Sequence, residues 1–356
     1  MMATGGQLTS ANPSSASSPL RISKRVTIIG AGSWGTALAL VAARNGHMVN
    51  LWAREPEVAE SIQDRRRNLY YLPEFELPSE VTATTSLAEA LTGIDFCLLV
   101  VPSHAMREVV QQMRPHLNPE TVLITATKGI ENGTLMRMSE LLVDVLGAGV
   151  EPHIAVLSGP SFAAEVAKGD PTAIVAASTH IGPAERVQRE FSSHVFRIYT
   201  NTDVVGVELG GALKNVVAIA TGVVRGLGFG ANSEAAIITR GLAEVTRLAV
   251  ASGARVQTMA GLAGLGDLVL TCTGALSRNR YVGVELGRGR KLQDILEGMR
   301  EVAEGVRTTK AIYELGRRMN IDMPITASIH ALLYEDKPAL EAASELMDRP
   351  LKQEIA

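Results

Sequence analysis

The hexapeptide Gly30-Ala-Gly-Ser-Trp-Gly35 follows the apolar run Val26–Ile29 at once and opens the helical pattern Thr36–Arg44. No other feature constrains the fold as strongly. Three glycines at this spacing, between a strand and a helix, have separate physical tasks. Gly30 permits a tight turn, Gly32 lets the backbone approach a pyrophosphate, and Gly35 lets helix and strand pack closely. The amides around Ser33 and Trp34 then lie at the positive end of the helix, where phosphates bind. A strand–helix turn with no ligand is the plainer alternative. The dinucleotide reading implies NAD(H) or NADP(H). The second strand, Met48–Trp52, ends in Ala53-Arg54-Glu55, and a cation at Arg54 can pair with a 2′-phosphate, so NADP is admissible. Arg54 as a solvated surface residue is the competing reading.

Short β-branched runs alternate with helical stretches from Arg25 to about Thr200. The predicted strands are Val26–Ile29, Met48–Trp52, Phe96–Val101, Val122–Thr125, Ile154–Leu157, Thr172–Ala176 and Phe196–Tyr199. Apolar throughout, Phe96–Val101 reads as a strand covered on both faces. After Asn201 no strand pattern remains, and Val204–Val224, Ala235–Ala251 and Thr308–Met319 read as helices, some separated by glycine-rich breaks at Gly226–Gly230 and Gly261–Gly266. The expected architecture is α/β: an N-terminal doubly wound Rossmann-type sheet followed by an all-helical C-terminal domain. The expected divisions are a disordered tail at 1–24, read in preference to a targeting peptide, a dinucleotide domain at 25–200, a helical substrate domain at 201–347 and a frayed end at 348–356.

Composition removes several classes of function. A net charge of −3 gives no electrostatic reason to expect nucleic acid or acidic membranes as partners. Cys97 and Cys272 are the only cysteines, without CxxC spacing, and the seven histidines form no ligand pair, so neither a metal site nor a disulfide framework is expected. Such cysteine usage suits a reducing compartment, here read as the cytoplasm. Glycine, serine and tryptophan interrupt the run Val26–Ala43, which excludes it as a membrane span.

Six motifs together resemble the bacterial NAD(P)-dependent glycerol-3-phosphate dehydrogenases. They are Gly30–Gly35, Thr127-Lys-Gly129, Ser158-Gly-Pro-Ser-Phe162, Gly210-Gly-Ala-Leu-Lys-Asn215, Gly264-Leu-Gly-Asp-Leu-Val-Leu-Thr-Cys-Thr273 and Ser277-Arg-Asn-Arg280. They stand in family order across roughly 25–333. The resemblance implies reversible hydride transfer between sn-glycerol 3-phosphate and dihydroxyacetone phosphate, supplying the backbone of phospholipids, by a homodimer.

Oxidising a secondary alcohol with a nicotinamide needs a base near the hydroxyl. Lys214 lies in a long apolar helical segment where desolvation lowers its pKa, and the resemblance makes it the general base. Read alone, it could instead snorkel outward or form a fixed ion pair; Glu208 and Arg225 are its nearest charges in sequence. Asp267 reads from spacing as a helix N-cap, whereas the resemblance makes it a substrate-site residue orienting Lys214 or a substrate hydroxyl. Four residues on, Thr271 would line the same pocket. Ser277 reads as a cap with Arg278 and Asn279 in the first turn, a combination suited to a dianionic phosphate.

By the resemblance these three hold the substrate phosphate, Arg278 also reaches the cofactor, and Asn215 lines the site. Lys128 follows the strand Val122–Thr125 at the carboxyl edge of the sheet, and the resemblance sets it between cofactor and substrate. Gly159, Ser161 and Ala163 hold the corresponding position after Ile154–Leu157, toward substrate and nicotinamide. Val302 and Glu304 match a late cofactor contact, although spacing alone makes Glu304 a solvated helix residue. A dehydrogenase acting on a β-hydroxy acid is the second reading, since such enzymes also use a lysine base. A non-catalytic NAD(P) sensor is the third, and it leaves Lys214, Asp267 and Arg278 without a purpose.

Overall fold

The computed structural model describes residues 22–299, 303–351 and 353–354. Most of the predicted N-terminal tail, and Val302 with it, lie outside the described residues.

Among the described residues an eight-stranded sheet forms the first half. Its strands are β1 (Arg25–Ile29), β2 (Met48–Trp52), β5 (Val81–Thr84), β6 (Phe96–Leu99), β7 (Val122–Thr125), β8 (Ile154–Ser158), β9 (Thr172–Ala177) and β10 (Phe196–Asn201), while β3 (Arg67–Asn68) and β4 (Leu72–Glu76) make a separate antiparallel hairpin. The spatial order is β10-β9-β8-β7-β6-β1-β2-β5, parallel except where β9 runs antiparallel to β8. A length argument accounts for the reversal. A five-residue strand spans about 17 Å, and a helix of six residues, such as Ala163–Lys168, only about 9 Å. That helix cannot carry the chain back to the far edge, so β9 returns from the near one. The 11-residue helix Ile181–Phe191 can, and β10 pairs parallel with β9.

The central strands are buried on both faces, packed by one cluster around Leu38, Leu51, Ile124 and Phe96 and another around Leu99, Met106, Leu123 and Leu141. The strand Val81–Thr84 was not expected. At four residues on the sheet edge, two of them threonine, it has too short an apolar run to register as a strand. The first helix begins at Ser33, not Thr36, because Gly32 is extended (φ −71°, ψ −177°) and the helix starts directly after it. Ser33, Trp34 and Gly35 therefore form its first turn.

From Val204 onward the described residues are helical. The helix Val204–Gly226 is long and apolar enough to cross a membrane by composition, but nearly all of it is buried inside the protein. It crosses the helix Arg278–Gly287 at backbone contact. A Cβ on Gly283 would strike the Ile219 carbonyl oxygen, and one on Gly222 the Arg280 carbonyl oxygen, so only glycine permits this approach. Helix Ala231–Ala251 is joined to Pro324–Tyr334 through Glu244, whose carboxylate accepts from the Ile325 and Thr326 amides, each at 2.8 Å. The third predicted helix opens at Glu304, one turn before Thr308. In Gly261–Gly266 the break is confined to its start: Gly261 is extended after the helix Val256–Met259, and Leu262–Gly266 forms a π-helical turn leading straight into the helix Asp267–Thr273. At the C-terminal end Arg349 pairs with Asp322 at 2.8 Å, and the Glu354 carbonyl accepts from Arg240 at 3.2 Å.

Candidate active site

The glycine turn is a cradle with one open side. Gly30 takes φ +115°, which favours glycine, and a Cβ there would come within 2.8 Å of the Val100 carbonyl oxygen. A Cβ on Gly35 would collide with the Gly30 carbonyl oxygen, whereas one on Gly32 would meet nothing within 4 Å. Two glycines thus serve packing, and the middle one faces room for a ligand. The Trp34 indole Nε1 is buried with no acceptor among the described residues. These features fit a dinucleotide phosphate at the start of the Ser33–Arg44 helix. Ala163 begins the next helix along this edge, which packs on the first through Arg44 and the Ala167 carbonyl. Arg54 ends in solvent beside Glu55, to which its Nε donates at 3.0 Å; that partner raises its pKa.

Where the two halves of the chain meet, Asp267 joins two lysines. Lys214 Nζ lies 2.5 Å from Asp267 Oδ1, and Lys128 Nζ lies 2.7 Å from Oδ2. The Lys214 and Asp267 side chains are 8% and 1% exposed. Lys214 also donates to Thr271 Oγ1 at 2.7 Å, and Lys128 to the Gly159 carbonyl at 3.0 Å. Ser161 Oγ donates to the same carbonyl at 3.0 Å. The predicted set Lys128, Gly159, Ser161, Lys214, Asp267 and Thr271 is therefore one bonded cluster.

One expectation from spacing fails here. Asp267 does not cap its helix; Gly266 occupies that position, and the carboxylate is taken by the lysines. The charges nearest Lys214 in sequence pair elsewhere, Glu208 with Arg137 and Arg225 with Glu234. The fixed ion pair, set against catalysis when the sequence is read alone, is present, and Asp267 is its partner. Burial pushes the Lys214 ammonium down to about 8, Asp267 opposes that shift, and Lys128 adds to it. Burial also raises the Cys272 thiol to about 12, so that neighbour is no nucleophile.

The phosphate-suited helix start meets the long helix Val204–Gly226 at Asn215. Ser277 caps Arg278–Gly287 by accepting from the Arg280 amide at 3.2 Å. Arg278 is exposed at the first helical position. Asn279 is buried, donates to Asn215 Oδ1 at 3.0 Å and accepts from the Gly305 amide at 2.9 Å. Asn215 is next to Lys214, so this bridge sets the cap beside the lysine cluster. Glu304 is not solvated: Ser103 Oγ donates to it at 2.9 Å, and burial raises its pKa.

Some contributors carried no assigned role in the sequence. Ser103 is one. Gly129, beside Lys128, is another, because a Cβ there would lie 2.7 Å from Ser103 Oγ. Gly210 and Gly211 admit the Ala263 carbonyl and Ser158 Oγ against the helix, at 2.5 and 2.6 Å from where their Cβ atoms would stand. Two glycines inside an apolar helix were the available signal, since such positions usually answer to close packing.

Residues 25–183 match the family described as NAD-dependent glycerol-3-phosphate dehydrogenase N-terminus, and residues 203–344 the corresponding C-terminus. The chain belongs to the NAD-dependent glycerol-3-phosphate dehydrogenase family. It is 56% identical to the glycerol-3-phosphate dehydrogenase [NAD(P)+] of Koribacter versatilis, over 93% of this chain and 99% of that one. Identity to the Geobacter sulfurreducens protein of the same description is 55%, over 94% and 99%. Among solved structures, glycerol-3-phosphate dehydrogenase from Coxiella burnetii superposes with a TM-score of 0.88 at 40% identity, covering 92% of this chain and 99% of that one. D-mandelate dehydrogenase, at 12% identity and a TM-score of 0.59, shares the fold alone. Within this family the chain is an NAD(P)-dependent oxidoreductase.

Proposed function

We propose that this chain interconverts dihydroxyacetone phosphate and sn-glycerol 3-phosphate, with Lys214 as the general acid and base. The observation that carries the reading is the buried Lys214 ammonium, held between Asp267 and Thr271 beside Lys128. When bound on the glycine turn, the nicotinamide cofactor supplies or removes the hydride.

In reduction, Lys214 Nζ gives a proton to the C2 oxygen; in oxidation the neutral amine takes it back. Asp267 orients Nζ and favours the ammonium against its burial. Lys128 and the backbone around Gly159 and Ser161 position the substrate from the sheet side. Arg278, with the capped helix start at Ser277 and Asn279, takes the phosphate dianion. Gly30, Gly32, Ser33, Trp34, Gly35 and Ala163 hold the cofactor from the sheet edge, and Glu304 meets it from the helical half. Arg54 favours NADP(H) by pairing with a 2′-phosphate. The protein works as a cytoplasmic homodimer, and its product feeds phospholipid synthesis.

Steady-state absorbance kinetics with dihydroxyacetone phosphate, run in parallel with NADH and NADPH, test the reading. Turnover with either cofactor is expected, at a lower KM for NADPH. An inert dihydroxyacetone phosphate, with a carboxylic hydroxy acid turned over instead, would overturn it.

A further inference from the structure

The β3–β4 hairpin contributes no residue to the six motifs, yet three hydrogen bonds tie it to the glycine turn. Asn68 Nδ2 donates to the Ala31 carbonyl at 2.7 Å and to Thr36 Oγ1 at 2.8 Å, and Ser33 Oγ donates to the Tyr71 carbonyl at 2.7 Å. Asn68 is wholly buried, and its Oδ1 accepts from the Tyr70 and Tyr71 amides at 3.3 and 3.2 Å. One side chain therefore uses both ends of its amide to join hairpin and turn.

The direction of these bonds matters. In a trans peptide, the carbonyl of one residue and the N–H of the next point opposite ways, and no cis bond occurs among the described residues. By drawing in the Ala31 carbonyl, Asn68 turns the Gly32 N–H away from the hairpin. Thr36 relays the effect to the next peptide. Its Oγ1 receives the other Asn68 bond and donates to the Gly32 carbonyl at 2.9 Å, where the Thr36 amide also donates at 3.0 Å. That arrangement fixes the peptide bearing the Ser33 N–H. Both peptides belong to the stretch where Gly32 leaves room for a ligand.

We infer that Asn68 is a positioning residue for the cofactor: its buried amide sets the two peptide planes that aim the Gly32 and Ser33 N–H groups at the dinucleotide phosphates, without touching the cofactor itself. The inference rests on the dinucleotide part of the proposed function and not on the identity of the substrate. Such preorganisation acts on cofactor binding, because a turn whose amides already point outward loses no freedom when phosphate arrives.

The test uses the full chain with Asn68→Asp, which keeps both acceptors for the tyrosine amides but removes both donated bonds, and with Thr36→Val, which breaks only the relay. NADPH affinity is read directly by quenching of tryptophan fluorescence, and KM for each substrate from steady-state rates. Asn68→Asp is expected to weaken NADPH about tenfold or more, with kcat and the KM for dihydroxyacetone phosphate within about twofold. Affinity should partly return at low pH, as the introduced carboxyl protonates and can donate again. Thr36→Val is expected to weaken NADPH about threefold, and it decides the question should the first variant not fold. Unchanged NADPH affinity in either folded variant, or a parallel rise of both KM values with a fall in kcat, would overturn the inference. A wild-type chain that binds NADPH but leaves dihydroxyacetone phosphate untouched would sink the substrate reading alone, because the titration still reports on Asn68.

Discussion

Replacing Asp267 with asparagine removes one charge and almost no volume, so it isolates what the carboxylate does for Lys214. Its two oxygens lie 2.5 Å from Lys214 Nζ and 2.7 Å from Lys128 Nζ, and it is nearly sealed from solvent. A unit pair about 4 Å apart at an effective dielectric near 20 interacts by about 4 kcal/mol. About 1.4 kcal/mol moves a pKa by one, so Lys214 should fall from about 8 to roughly 5–6. With Lys214 as the proposed proton donor, reduction needs the ammonium: its rate is full below the Lys214 pKa and is lost as pH rises through it. In the variant that loss should come two to three pH units earlier, roughly, and reduction at pH 7 should drop about 30-fold from protonation alone. Oxidation needs the neutral amine and should be spared at pH 7 relative to reduction. The assay is kcat in both directions from pH 5 to 9.5 at saturating cofactor, with circular dichroism confirming the fold. A reduction profile whose midpoint stays near the wild-type value would refute the electrostatic role given to Asp267.

Lys214→Ala should lower kcat by about 10²–10⁴ while NADPH affinity, read by fluorescence, stays within about threefold. Arg54→Ala should raise the KM for NADPH about tenfold and leave that for NADH within about twofold, as expected for one charge-assisted contact. Gly283→Ala drives a methyl group into the Ile219 carbonyl, so thermal unfolding should show a loss of about 1–3 kcal/mol. Its effect on KM should be larger for dihydroxyacetone phosphate than for NADPH, because Asn279 sits one turn earlier on the displaced helix. Glu244→Leu strands two buried amides at the start of Pro324–Tyr334, costing about 2–3 kcal/mol by denaturant melt with kcat of the folded fraction unchanged.

The parts of the fold legible in the sequence were those written in local pattern. The strand Met48–Trp52 ends where its apolar run ends, and Ser277 is a cap because serine before Arg278 has a nearby amide to accept from. Asp267 shows the limit. Its local geometry suits a cap equally well, and only the arrival of Lys128 and Lys214 from 139 and 53 residues away gives the carboxylate stronger partners. Ser103 and Glu304 are separated by 201 residues, and neither has a flanking pattern that marks the other. The hairpin Arg67–Glu76 escaped for a related reason. It is held by Asn68 and its bonds to the turn and by Leu72, Tyr71 and Phe75 packed on the sheet's core, without a regular apolar alternation.

The enclosure of the helix Val204–Gly226 also bears on how the chain is made. Its apolar surface is covered chiefly by segments that follow it, among them Asp267–Thr273 and Arg278–Gly287. Synthesis proceeds at about 5–20 residues per second, so the last of these emerges roughly 3–12 s after the helix is complete. Until those segments arrive, a stretch as greasy as a membrane anchor is only partly covered, by the sheet before it and by the helix Ala231–Ala251 that follows it first. The ion pair between Glu208 and Arg137, at 2.6 Å, joins the helix to a segment translated before it, so Glu208 has its partner to hand before Asp267, the partner of Lys214, has been translated.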